Sequence, residues 1–443
     1  MDTRIEGARI WTGERIIEDG VLSVDQGRVA AVGPAGADPH ARQAGAAERI
    51  DGSGKLIIPG LINAHTHLYS SLARGMAASG FAPASFGDIL EQLWWRLDKA
   101  LDPETVRLSA LVGAMEAARC GVSTLIDHHA SPHAVRGSLE AIRNAVCDDV
   151  GLRGAFAYEV SDRDGSASRD QGLEENAAFL AAVRDEGTSS GLFGVHASFT
   201  VSDETLAEIA ARLGGSDGVH IHVAEGAEDE ADALRRHGMR VVQRLDRFGL
   251  LRPRSVLVHC LHVDEEEKDL LAERDVIVVH NPRSNMNNAV GGFDLEGLLH
   301  RGILCGLGTD GLGSNMLGEL FTAGLAQKHS RHDAMAGGFE RLWRLYDNNR
   351  AIALRLLGVK VGRLEVGAVA DFAAIAYEPP TPLHGDNVLG HLLYGAAVHT
   401  LRVTDLMVNG RFVLRDGRFV DVDEAGIYAV AREAAARLWE NVG

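Results

Sequence analysis

The stretch Leu56-Ile57-Ile58-Pro59-Gly60-Leu61-Ile62-Asn63-Ala64-His65-Thr66-His67 joins an apolar run to a histidine pair. From Leu56 to Ile62 the run does not alternate, as expected of a strand covered on both faces of a parallel sheet. Residues two apart in an extended chain point the same way, so both imidazoles leave the strand end together. Two neutral imidazoles converging there make half of a site for a borderline-soft metal ion.

Later segments offer the missing half. Gly218-Val219-His220-Ile221-His222-Val223-Ala224-Glu225 reads as a strand with His222 near its end and Glu225 just beyond. Ser255-Val256-Leu257-Val258-His259-Cys260 ends in His259, and Val276-Ile277-Val278-Val279-His280-Asn281-Pro282 follows the same plan. Ile303-Leu304-Cys305-Gly306-Leu307-Gly308-Thr309-Asp310 ends in Asp310. Ligand-type residues at the carboxyl ends of several parallel strands are what a (β/α)8 barrel presents on its active face.

Eight barrel strands are expected near residues 57–64, 122–127, 152–160, 191–196, 218–223, 255–260, 276–281 and 303–308. Ala/Leu/Glu-rich helices such as 103–119 and 202–213 separate them. Both ends of the chain instead read as short strands and turns, with Gln26-Gly27, Asn409-Gly410 and Asp416-Gly417 as hairpin turns. The expected fold is therefore α/β: a (β/α)8 TIM barrel over 59–355, with a small composite β-sandwich formed by 1–58 and 356–443. The last segment includes a closing helix. A long excursion between Tyr69 and Asp102, carrying Trp94 and Trp95, is placed to act as a lid or substrate wall.

A length of 443 residues fits one large domain with a smaller one. The net charge of −18 argues against a nucleic-acid or anionic-membrane partner, since both would repel the chain. The N-terminus lacks signal-peptide character, and no uninterrupted apolar stretch reaches membrane-spanning length. Cys120, Cys147, Cys260 and Cys305 show no CxxC spacing, which fits a reducing cytoplasm and gives no thiolate zinc site.

His65, His67, His222 and Asp310 would bind one divalent ion, Zn²⁺ or alternatively Fe²⁺, with room for a water whose pKa falls towards ~7. Glu225 is placed as general acid/base between that water and a leaving amine, and His259 to orient or polarise the water. Asp310 could ligate and also accept a proton. A lone histidine ending a strand is usually just a satisfied polar residue; it is the set, in order and all at strand ends, that points to chemistry. Asn285 reads either as a loop brace or as a substrate contact. His128 either reaches the pocket or is a solvated loop histidine. Trp94, Trp95 and Phe199 are candidates for stacking on a flat substrate, although tryptophan pairs more often fill core. Strand four ends in His196 rather than in a lysine that could be carbamylated to bridge two metals, which favours a single ion; Glu159 could support a second.

These residues resemble the amidohydrolase superfamily, in its ATZ/TRZ branch of deaminases and chlorohydrolases. The motifs are the 59–67 segment, His222-Val223-Ala224-Glu225, Val258-His259-Cys260, His280-Asn281-Pro282-Arg283-Ser284-Asn285 and Gly308-Thr309-Asp310. Leu93-Trp94-Trp95-Arg96-Leu97-Asp98, Asp127-His128-His129-Ala130-Ser131-Pro132 and Ser284-Asn285-Met286-Asn287-Asn288 are most similar to the SsnA-type aminohydrolases. The resemblance implies a barrel with a composite β-sandwich, one divalent metal, a homodimer, and hydrolytic removal of an amino group from a heterocycle. It places His65, His67, His222 and Asp310 as ligands, Glu225 and His259 as catalytic residues, and His196 against substrate. Ser198-Phe199 stands where the commoner family form has a Pro-Tyr pair.

The expected activity is deamination at a C=N carbon of a small heterocycle such as a purine or pterin. Hydrolysis of a cyclic amide or a C–Cl bond at the same site is the alternative enzymatic reading. A catalytically silent barrel acting as a scaffold is the reading of another class.

Overall fold

The computed structural model describes residues 2–36, 48–183, 187–398 and 402–443. Its strands, in chain order, begin with Thr3–Trp11 (β1), Ile16–Asp25 (β2), Arg28–Pro34 (β3), Glu48–Asp51 (β4) and Lys55–Pro59 (β5). Leu61–Thr66 (β6), Val122–His129 (β7), Arg153–Tyr158 (β8), Ser189–Gly191 (β9) and Phe193–Ala197 (β10) follow. Val219–Val223 (β11), Val256–His259 (β12), Ile277–His280 (β13) and Leu304–Leu307 (β14) continue the series, and Phe372–Ala376 (β15), Val403–Val408 (β16), Arg411–Arg415 (β17) and Arg418–Phe419 (β18) end it.

Strands β6 to β9 pair in parallel, and so do β10 to β14. Two parallel bridges, Thr66↔Asp310 and Val160↔Val195, link these sheets at both seams, so the pairing runs in a ring. The connections carry helices such as Pro103–Arg119, Asp203–Arg212 and Met316–Arg331. Pro103–Arg119 shows why such a segment is helical: Asp102 caps it, Pro103 occupies its first turn, and its apolar face is buried.

The remaining nine strands form one sheet, drawn from both ends of the chain, with its own buried cluster including Ile10, Leu22, Ile57, Phe372 and Met407. In each of its three expected hairpin turns both central residues have positive φ: Gln26 and Gly27, Asn409 and Gly410, Asp416 and Gly417. That geometry matches the twist of the flanking strands.

The apolar run beginning at Leu56 proves to serve two sheets. Leu56 to Pro59 lie in β5, paired with β1 and β15, whereas Leu61 begins the ring. At the junction Gly60 N–H donates to Asp371 O and Leu61 N–H to Gly121 O. Both strands are buried on both faces, so hydrophobic pattern alone does not mark the switch. Among the described residues no helix is long and apolar enough to cross a membrane.

Asp371 also ties the two parts together through a side chain. Arg153 in β8 is wholly buried; its Nη1 pairs with the Asp371 carboxylate and its Nη2 with Asn409 Oδ1, while Asn409 N–H donates to Asp371 Oδ1 at 2.7 Å. Removing one member leaves a buried charge uncompensated. Asp371→Ala is expected to lower stability by about 3–5 kcal/mol, read as a fall in the urea midpoint. A loss below about 1 kcal/mol, the range of an exposed pair, would refute the clamp.

Candidate metal centre and its cavity

The ring strands end at one point. β6 delivers His65 and, one residue past its end, His67; β11 delivers His222; the turn after β14 delivers Asp310. Their ligand atoms lie within 4.8 Å of one another. Asp310 Oδ1 is 3.0 Å from His67 Nε2 and 3.7 Å from His65 Nε2, and the Nε2 atoms of His67 and His222 are 3.2 Å apart.

Each imidazole is held by its other nitrogen. His65 Nδ1 meets His220 Nε2 at 2.9 Å, His67 Nδ1 donates to His128 O at 2.5 Å, and His222 Nδ1 donates to His196 O at 3.0 Å. Those bonds fix the tautomer and leave Nε2 facing the common point, where His65 Nε2 is buried without a hydrogen-bond partner. Three imidazole nitrogens and one carboxylate at this spacing fit a divalent cation.

The backbone brings Asp310 in. Thr309 N–H and Asp310 N–H both donate to His65 O, at 2.9 and 3.1 Å. A side chain at Gly308 would lie 2.7 Å from that same oxygen, so only glycine allows the approach. Ala224, His259, Cys260 and Asp310 all have positive φ without being glycine, a strained conformation concentrated at the strand ends that carry the site. Asp127 accepts from Leu68 N–H at 2.8 Å and Asp229 from Ala224 N–H at 2.9 Å, pinning the chain beside His67 and His222.

Glu225, His259 and Asp310 form a second group on the same side. His259 Nε2 is 3.4 Å from Glu225 Oε2 and 3.5 Å from Asp310 Oδ2, while its Nδ1 donates to Asn285 Oδ1 at 2.8 Å. Glu225 Oε1 accepts from Asn288 Nδ2 at 3.3 Å. Burial raises the Glu225 pKa, and the charge of Asp310 adds to it, against His259 and Asn288. Burial lowers His65 to about 4 and His222 well below the usual histidine range, which keeps both rings neutral. At His67 burial also opposes the proton, but the bond and charge of Asp310 outweigh it and raise the pKa to about 10. A positive charge is favoured at the position where a cation would sit.

The group opens into a cavity. His67, His222, Glu225 and Asp310 line one part of it, and Phe86, Trp94, Trp95, Phe199 and Leu312 give it apolar walls. Trp94 and Trp95 come from the helical turns Leu90–Trp94 and Trp95–Ala100 in the long excursion after β6, Phe86 from the turn Phe86–Ile89 before them, and Phe199 from the turn Ser198–Thr200 after β10.

The family model of the amidohydrolase family matches residues 56–413, which takes in every element described above around the site. The chain belongs to the amidohydrolase family. It is an enzyme of that family, a hydrolase of carbon–nitrogen bonds.

The amidohydrolase chain is 33% identical over 397 residues to the 5'-deoxyadenosine deaminase of Methanothermobacter thermautotrophicus, covering 88% of this chain and 89% of that one. It is 32% identical to the 5-methylthioadenosine/S-adenosylhomocysteine deaminase of Nitratidesulfovibrio vulgaris, over 100% of this chain and 98% of the relative. A zinc-bound adenosine deaminase from Xanthomonas campestris superposes with a TM-score of 0.83 at 28% identity, covering 99% of this chain and 98% of the other. The zinc-complexed atrazine chlorohydrolase TrzN of Arthrobacter aurescens has a TM-score of 0.79 at 24% identity, with 98% and 100% covered, and shares the fold.

Within this amidohydrolase, the expected substrate residues divide. His196 and Trp94 line the cavity; His196 Nδ1 is bonded to Thr200 Oγ1 at 2.9 Å. Asn285 does not line it: the residue is buried behind His259, bridging to His280 at 3.3 Å. His128 is neither solvated nor in the cavity wall. It is fully buried, stacked on His220 with centroids 4.3 Å apart. His128 is packed against His220 inside the ring, and Asn285 sits in the short helix Pro282–Asn287 with its amide turned to His259 and His280. Glu159 lies 3.4 Å from His128 Nδ1 and forms a possible ligand group with His67, His128 and His222, so it shares two imidazoles with the first group. His220, Asn288, Asp98 and Arg163 were not singled out by sequence reasoning. His220 repeats the His-x-His spacing of 65 and 67, a signal that was available.

The anchoring role of His220 has a direct test. His220→Phe keeps the ring volume and removes the bond to His65 Nδ1, so zinc affinity should fall about 10–100-fold in a chelator competition. Unchanged affinity would mean that His65 needs no such support.

Proposed function

We propose that this amidohydrolase deaminates a small nitrogen heterocycle of the purine or pterin type. Water adds at an amino-bearing C=N carbon, the C–NH₂ bond breaks, and the products are the oxo ring and ammonia. The observation that carries this reading is the juxtaposition of Glu225, His259 and Asp310 with three converging imidazoles in one apolar-walled cavity.

In this reading His65, His67, His222 and Asp310 hold one divalent ion, with zinc favoured by the nitrogen-rich donor set and Fe²⁺ the alternative. Such an ion supplies Lewis acidity and lowers the pKa of a nearby water to about 7. Glu225 takes the proton of the attacking water and delivers it to the ring nitrogen, then assists departure of the amine. Asn288 occupies Glu225 Oε1, which leaves Oε2 on the side of His259. His259, steadied by Asn285, orients the attacking oxygen, and Asp310 Oδ2 is placed to accept its remaining proton. His196 and Trp94 contact the ring.

The relatives named as deaminases of adenosine derivatives, similar over nearly the full chain, support amino removal over cyclic-amide or C–Cl hydrolysis and over a silent scaffold. The group around Glu159 is the one observation that favours a two-ion amide hydrolase; its shared imidazoles weigh for one ion. We further read the parallel ring as a (β/α)8 barrel spanning 59–355 and the terminal sheet as a composite β-sandwich of 1–58 and 356–443. A cytoplasmic homodimer with a small-molecule substrate, and with neither nucleic acid nor membrane as partner, completes the proposal.

Glu225→Gln is expected to lower ammonia release about 10²–10⁴-fold while zinc content stays near one equivalent. Measured by an ammonia-coupled assay and elemental analysis on the same sample, a fully active variant would refute the acid/base role. Two equivalents in the wild type would shift the reading to the amide hydrolase. Removal of the ion by a chelator should abolish turnover, and added zinc should restore it.

A further inference from the structure

One wall of the cavity holds polar groups that the deamination steps do not use. Asp98 and Arg163 both line it, and their side chains are 2% and 10% exposed. Arg163 Nη2 pairs with Asp98 Oδ2, its Nε donates to Asp164 Oδ2 at 3.0 Å, and its guanidinium carbon stands 5.2 Å from the centroid of the Trp95 ring. Trp95 in turn meets His196 edge to face at 6.4 Å. After these contacts four polar atoms of the cluster remain buried without a hydrogen-bond partner: the acceptors Asp98 Oδ1 and Asp164 Oδ1, the latter 3.2 Å from Lys99 Nζ, and the donors Arg163 Nη1 and Trp95 Nε1. Buried groups left in this state cost free energy unless a ligand completes them.

The pair selects a chemistry. On the two ion-paired residues that line the cavity, one open acceptor and one open donor match a neutral N–H next to a C=O, the edge of a lactam. A vicinal diol, as on a nucleoside sugar, would use both carboxylate oxygens, and Arg163 already holds one of them. An anionic group is disfavoured as well, because Asp98 and Asp164 cancel the charges of Arg163 and of Lys99, which sits 3.2 Å from Asp164. On an adenine ring the amino-bearing edge would be taken up at the reacting centre, and the rest of the ring offers no N–H beside a carbonyl.

We propose that Asp98 and Arg163 form a specificity pair for the lactam edge of an amino-oxo heterocycle, Asp98 Oδ1 accepting the ring N–H and Arg163 Nη1 donating to the ring carbonyl. This rests on the deaminase reading and narrows it: the substrate is a 2-amino-oxo ring of guanine or pterin type, in contrast to the adenosine derivatives named for the relatives. Trp95 carries the guanidinium plane, so it positions Arg163.

The test uses zinc-loaded full-length protein with guanine, 2-aminopurine and 5'-deoxyadenosine as substrates. Guanine and 2-aminopurine carry the same amino group, but 2-aminopurine lacks the lactam. The wild type is expected to favour guanine over 2-aminopurine by at least about 100-fold in kcat/KM. In Asp98→Asn and in Arg163→Gln that ratio should fall to below about 10. The ratio does not depend on the fraction of enzyme correctly folded, so a partly unstable variant still reports. An unchanged ratio in both variants would overturn the specificity role and leave a purely structural ion pair. Ammonia from 5'-deoxyadenosine with guanine inert would overturn this inference and uphold the deaminase reading. No ammonia from any of the three, nor from pterin assayed alongside them, would count against both.

Discussion

Three imidazoles can point their Nε2 atoms at one carboxylate only if something holds each ring from behind. In this amidohydrolase the holders are His220 and the carbonyls of His128 and His196. Two of these are backbone atoms of neighbouring strands, so the orientation of His67 and His222 follows from strand register rather than from side-chain packing. Aiming the rings thus requires the ring of parallel strands to hold its register. Nearby, the positive φ values at Ala224, His259, Cys260 and Asp310 show strain gathered where β11, β12 and β14 run out. The parallel pairing beneath keeps those ends in place.

The same arrangement separates functions by depth. Nitrogens committed to positioning face the interior, where His128 and His220 stack and Asn285 links His259 to His280. Atoms open to chemistry face the cavity, where Glu225 stands beside His259 with one oxygen already engaged by Asn288. The excursion between β6 and Pro103–Arg119 supplies Trp94, Trp95 and Asp98 to the cavity wall, the loop after β8 supplies Arg163, and β10 supplies His196.

Much of this was legible in the chain. Apolar runs ending in His, Glu or Asp marked the strand ends, because each run is too short for a helix and stops at a ligand-type residue. The grouping of His65, His67, His222 and Asp310 could be read from order alone, as could the turns at Gln26-Gly27, Asn409-Gly410 and Asp416-Gly417. The switch of sheets at Gly60 could not, since Leu56 to Ile62 is equally apolar on both sides of it. Nor could the depth of Asn285 and His128: a polar residue after a strand reads the same whether it faces the cavity or the packing behind. Arg163 lies in a Gly/Ser/Asp-rich loop with no periodicity, and only three-dimensional contact with Asp98 and Trp95 brings it into view.

The central claim is that one divalent ion is held by three imidazole nitrogens and a carboxylate. Zinc-edge X-ray absorption on the purified protein addresses it most directly. The account predicts nitrogen and oxygen neighbours at about 2.0–2.1 Å with the multiple-scattering signature of imidazole. A sulfur shell near 2.3 Å, or a second metal at about 3.5–4 Å, would contradict it.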